Sequence, residues 1–219
     1  MAVSFFYVVL FVSVGTALPV CFHWQEHGWS WTEASLALFC SINLLVCIWE
    51  LGLFINRDLI LKEYLAFQKT LKKGTLPQPI FMFEHVPLTQ AITLKHWSKV
   101  WSTYSIMDPS YSDQTSYGFF VDVGNGAVTL VPTIMFSLCM TWDLVPARIM
   151  GTIGIIKFYQ EMYGTILYYF SYMLNERYKG RPFMHMVLPA NFVWIIGPAF
   201  GMYACYNMIM SGNYDMFRG

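Results

Sequence analysis

Long apolar runs separated by short polar breaks make up most of this chain, and one extended polar stretch interrupts them. A helix needs about 20 mostly apolar residues to cross a hydrocarbon core near 30 Å. Five runs meet that length: 5–22, 33–55, 117–142, 145–174 and 184–210. The pattern predicts an all-α fold, a polytopic membrane protein with a single domain over 1–219. Its core would be a five-transmembrane-helix bundle, with a long amphipathic connector at 57–100 between the second and third helices.

Composition sharpens this picture. Of 219 residues, 56% are hydrophobic and only 12% charged, whereas a soluble domain carries roughly 25% charged residues. That excludes a disordered chain and an ordinary soluble one. Thirteen basic residues balance thirteen acidic ones, so there is no net positive field for nucleic acid, and none is expected as a partner. Eight Trp, 14 Tyr and 18 Phe suit a lipid setting, where aromatic side chains collect at the interfaces. The first run resembles the apolar part of a cleaved signal peptide, but it lacks a basic leader and a clean small-x-small site.

The connector holds Arg57, Lys62, Lys69, Lys72, Lys73, Lys95 and Lys99, and the break after the fourth run adds Arg177, Lys179 and Arg181. The other side carries Arg148 and Arg218. Basic loops stay cytoplasmic, which predicts a cytosolic amino terminus, a cytosolic connector and a carboxyl terminus across the membrane. Within Asp58 to Lys73 the apolar residues Leu59, Leu61, Tyr64, Leu65, Phe67 and Leu71 alternate with lysines, as in a helix lying at headgroup level. Gly74 is expected to end it, since Leu76-Pro77-Gln78-Pro79 cannot continue a helix. Ile80 to Phe83 would dip into the interface, and the whole connector would act as a lid.

Charges inside a membrane are costly, about 2.5 to 3.5 kcal/mol each on insertion scales, so they should face protein. Glu50, Asp122, Lys157 and Glu161 are the candidates. Asn43 and Glu50 stand seven apart and share a helix face; Asp122, Asn125 and Thr129 do the same at spacings of three and four. Lys157 and Glu161, four apart, can neutralise each other. Neither Glu50 nor Asp122 has Lys or Arg three or four positions away. A carboxyl in a nonpolar surrounding without a cation beside it favours its neutral form, and a neutral carboxylic acid can deliver a proton. The alternative reading is a hydrogen bond that only docks two helices.

The five cysteines, Cys21, Cys40, Cys47, Cys139 and Cys205, are isolated among apolar residues and read as reduced packing residues. His23-Trp24-Gln25-Glu26-His27 fits the H-x-x-E-H zinc pattern, but it falls in a short break at a membrane exit and offers no third ligand on a rigid helix. A wet interfacial turn is expected there, with no metal and no cofactor.

Three motifs in order resemble a known family. They are Trp101-x-x-Tyr104-x-x-x-Asp108-x-x-Tyr111 with Asp122 eleven positions on, Glu161-Met162-Tyr163-Gly164-Thr165-Ile166-Leu167-Tyr168, and Asn191-Phe192-Val193-Trp194-Ile195-Ile196-Gly197-Pro198. Together they resemble the sterol isomerases of the expanded emopamil-binding (EXPERA) superfamily over roughly residues 35 to 210.

The resemblance implies a five-helix endoplasmic-reticulum protein enclosing a lipid-accessible cavity for sterols and amphiphilic amines. It assigns Glu50 and Asp122 to a proton-moving acid pair, and Asn191 and Trp194 to the wall beside a carbocation. Tyr104 and Tyr111 would line or close the entrance. Asn43, Asn125, Glu161 and Tyr163 complete the expected substrate-binding set. The sequence departs from that pattern at Val46, where the isomerases have His, at Glu161, where they have Gln, and in a connector about thirty residues longer. The expected partners are the membrane and a sterol or isoprenoid lipid, with a homodimer left open. Three activities fit: double-bond isomerisation, cyclisation of a terpene-like lipid, and lipid binding without turnover.

Overall fold

A computed structural model describes residues 2–72, 75–174 and 183–218 of the chain. In order these form strand β1 (Ala2–Val3), helices α1 (Ser4–His27), α2 (Trp31–Ile55) and α3 (Arg57–Thr70), and strand β2 (His85–Val86). Helices α4 (Leu88–Ala91), α5 (Leu94–Met107), α6 (Ser110–Asp113), α7 (Tyr117–Trp142), α8 (Ala147–Leu174), α9 (Met184–Asn191) and α10 (Val193–Ser211) follow. Short 3-10 turns occupy Phe81–Phe83 and Asp215–Phe217. Lys73, Gly74, Arg177, Lys179 and Arg181 lie outside the described residues.

Helical structure dominates, as the apolar runs require. Among the described residues, four helical stretches are both long and apolar enough to cross a membrane: α1, α2, α7 and Met184–Ser211. The chain therefore has the makeup of an integral membrane protein. The fourth expected crossing, α8, has 28 residues, or about 42 Å at 1.5 Å per residue. Arg148, Lys157 and Glu161 lower its apolar character, and it is not among the four. One strand pair also departs from a purely helical chain, with Ala2 opposite Val86 and Val3 opposite His85 in antiparallel register. Gly28 and Gly212 adopt positive φ of 83° and 75°, a backbone conformation that glycine tolerates without strain. They separate α1 from α2 and end α10.

The chain divides into two compact units. The first comprises Met1–Val9, Cys47–Ala127 and Ile166–Asn191. Its core is Leu53, Ile60, Trp101, Tyr111, Phe119, Tyr168, Tyr172 and Val187. Helix α3 is amphipathic as expected: Ile60 is fully buried, Glu63 accepts from the Ser102 hydroxyl of α5, and Lys62, Lys69 and Lys72 are exposed. At the apolar tip Phe81 is buried against His96 and Trp97, and Phe83 is exposed.

The amino terminus is fastened to this connector. Besides the strand pair, Ser4 N–H donates to Glu84 O at 3.0 Å, the Ser4 hydroxyl meets His96 Nε2 at 3.0 Å, and Tyr7 donates to Val86 O at 3.2 Å. This contact agrees with the two segments lying on one side of a membrane.

The second unit comprises Leu10–Val46, Val128–Thr165 and Phe192–Gly219. Leu36, Phe39, Cys40, Phe136, Met150, Phe158, Cys205 and Phe217 fill its core. The H-x-x-E-H residues belong to the end of α1 and not to a break between helices, and Trp24, Gln25 and Glu26 are exposed there. His23 is buried and meets Phe217 O at 2.6 Å, and His27 Nε2 meets Thr141 O at 2.8 Å. Both rings are used to hold backbone carbonyls. Among the described residues, no group of three His, Cys, Asp or Glu converges as a metal ion would need.

Candidate functional site

The first unit gathers most of the chemistry-bearing residues. Glu50 on α2 is buried, and Asn125 Nδ2 on α7 donates to both of its carboxyl oxygens at 3.0 and 2.9 Å. Such closeness needs a small residue between the two helices. Gly126 supplies it, since a Cβ there would stand 2.6 Å from Glu50 Cβ and 3.1 Å from Cys47 O. Asp122 precedes Asn125 by three positions on α7, so these two share a helix face, and both acids belong to the first unit.

Around Asp122 the packing is phenolic. The Tyr111 hydroxyl interacts with its carboxyl group, and Asp108 lies within electrostatic reach of both. Asp108, at the end of α5, is fully buried. Its Oδ1 accepts from Ser110 N–H at 2.9 Å and its Oδ2 from the Tyr168 hydroxyl at 2.8 Å. Trp101 stacks on Tyr111 with centroids 4.9 Å apart, and Tyr104 meets the same ring edge-on at 5.0 Å. Asn191 Nδ2 donates to the Tyr104 hydroxyl at 3.2 Å. Burial pushes the phenols of Tyr104 and Tyr111 up, and the nearby Asp122 and Asp108 add to the shift. Both therefore stay protonated and able to donate.

The second unit holds a different arrangement. Lys157 Nζ lies 2.9 Å from Glu161 Oε1 and 3.0 Å from Oε2, with both side chains 1% exposed. Asn43 donates to the same carboxylate. Asn43 on α2 and Lys157 on α8 thus converge on one carboxylate. Thr129 is likewise buried in this unit.

Asn191 and Trp194, expected on one helical face, lie at the end of α9 and the start of α10, and Phe192 between them keeps right-handed helical dihedrals, φ −66° and ψ −26°. Asn191 belongs to the first unit and Trp194 to the second, where its ring meets Phe39 edge-on at 5.5 Å. Tyr163 faces outward, 47% exposed, and stacks on Tyr159 at 5.6 Å; it does not line an interior. No protein-family model, curated protein or solved structure matches this chain. The family resemblance thus stands on its three motifs, and function has to be argued from the residues.

Two members of the first-unit cluster were not among the expected site residues: Asp108 and Tyr168. Each occupies a motif position, yet sixty residues separate them, and no helical spacing links them. An acid inside the otherwise neutral run from Val100 to Ser112 was the available signal.

Proposed function

We propose that the chain is a membrane-embedded isomerase that moves a double bond in a sterol or isoprenoid lipid, working with five crossings and, in a eukaryotic cell, in the endoplasmic reticulum. The observation that supports this reading is that Glu50 and Asp122 share one unit, Glu50 held by Asn125 and Asp122 beside Tyr111, whose ring packs on Trp101 and Tyr104. Asp122 delivers its proton to an alkene carbon, forming a C–H bond and leaving a tertiary carbocation. Glu50, whose oxygens are set as acceptors, takes a proton from the neighbouring carbon, and that C–H pair becomes the new double bond. Once the proton passes back from Glu50 to Asp122, the sum is a bond shift with no redox change. Aromatic faces stabilise the cation by about 0.5 to 2 kcal/mol, and positioned acid and base groups supply about 10² to 10⁴ in rate.

A second reading, a lipid-binding protein without turnover, draws support from Val46 at the position where the resemblance has His. One experiment separates the two. Purified protein is incubated with sterol and isoprenoid alkenes, and products are resolved by mass spectrometry and NMR. Under the isomerase reading, Asp122→Asn and Glu50→Gln each lower turnover at least about 100-fold while the protein stays folded. Bound but unchanged lipid supports the binder, and a new ring supports a cyclase. Parental rates in both variants would sink the proton-transfer assignment.

A further inference from the structure

The second unit contains a group that the proposed reaction does not use. Lys157 is a cation almost wholly removed from water, and its surroundings resemble those a protein builds for a ligand's ammonium group. Glu161 provides the counter-charge at 2.9 Å. The ammonium sits over the Phe158 ring at 4.0 Å from the centroid and over the Phe39 ring at 5.4 Å. Aromatic faces attract such a cation most strongly when it is desolvated.

The rings themselves are held from behind. A Cβ at Gly197 would lie 2.3 Å from Phe39, and one at Gly201 would lie 2.5 Å from Phe158. Backbone therefore lies flat against both aromatic walls and fixes their distance from the ammonium. Glu161 is held in turn by Asn43. Carboxylate and aromatic faces are thus each held by a residue other than the lysine.

We infer that Glu161, Phe39 and Phe158 form a receptor for a primary alkylammonium, and that the side chain of Lys157 fills it in cis. The second unit is self-liganded. A tethered occupant acts at a high effective concentration, about millimolar for short flexible links and more for a side chain already in place. An external amine must displace it, so this unit of the natural chain is closed to cationic amphiphiles. The inference concerns binding in the second unit and stands independently of the acid pair in the first.

The full-length protein in detergent tests it, with n-butylammonium as the probe, since this cation replaces what Lys157→Ala removes. The expected result is a saturable rise in the thermal unfolding midpoint of Lys157→Ala, with affinity at least about tenfold above that of the parent, a difference of about 1.4 kcal/mol. Neutral n-butanol should not reproduce it, and Lys157→Ala combined with Glu161→Gln should abolish it. Equal responses of parent and variant, an equal effect of butanol, or persistence in the double variant overturns the receptor. Should Lys157→Ala not accumulate folded, extraction in butylammonium chloride should recover it, and failure to do so counts equally against the proposal.

Discussion

Both units bury acids in a largely apolar chain, yet they treat them differently. In the second unit Glu161 is committed to an ammonium four positions earlier on the same helix. In the first, Asp108 is held by a backbone N–H and a phenol, and both oxygens of Glu50 accept from the Asn125 amide. The difference bears on chemistry. An acid tied to a buried cation cannot change charge without stranding that cation, whereas neutral donors can adjust to either form of a carboxyl group. The second arrangement suits a fixed structural charge, and the first suits a group that exchanges protons.

The strongest way to break this contrast is to remove one charge from the second unit. Glu161→Gln leaves Lys157 buried without its carboxylate and should lower unfolding free energy by about 3 to 5 kcal/mol. Adding Lys157→Met should restore most of it, read by thermal or denaturant unfolding in detergent. A single variant as stable as the parent would mean the pair is not the closed unit described.

Next in size is the helix contact that sets Glu50. Gly126→Ala places a methyl group 2.6 Å from Glu50 Cβ and should cost about 1 to 3 kcal/mol through overpacking, with a loss of any turnover. If stability falls and turnover holds, the position of Glu50 does not govern the reaction. Tyr168→Phe removes one buried hydrogen bond to Asp108 and should cost about 1 to 3 kcal/mol in thermal or denaturant unfolding, the range for leaving a buried acceptor unsatisfied. Asp108→Asn, which keeps an acceptor oxygen for that phenol, should cost less.

The smallest expected effect concerns the amino-terminal fastening. Burial pushes the His96 imidazole below its ordinary value of 6.5, Lys99 adds to this, and Glu84 opposes it. Its Nδ1 has no hydrogen-bond partner among the described residues. An imidazole that takes up its proton more readily when unfolded contributes stability above pH 6.5, and that stability is lost as pH falls below it. Protection of the β1–β2 amides, taken relative to intrinsic exchange at each pH, should therefore fall in mild acid, and His96→Gln should flatten that change. Protection independent of pH in the parent would remove His96 from the fastening.

Much of this was legible in the sequence, and the reasons are local. Runs of apolar residues become helices in a membrane because every backbone polar group must be satisfied within the segment. Hence 117–142 matches α7, and the amphipathic lysine-rich stretch matches most of α3. The Lys157–Glu161 pair followed from a four-residue spacing. Partnerships across the chain did not follow. Nothing along α2 shows that Asn43 turns to Glu161 while Glu50 turns to Asn125.

The order of apolar runs, their helical state and the presence of acids among them were fixed by residue type and spacing, because these depend on neighbours within a turn or two. Which acids share a unit, which one meets a cation and where the amino terminus is fastened were decided by tertiary packing. Those outcomes depend on close approaches such as Gly126 to Glu50 and on contacts like Tyr168 to Asp108. Only the folded chain brings such distant groups within hydrogen-bonding distance.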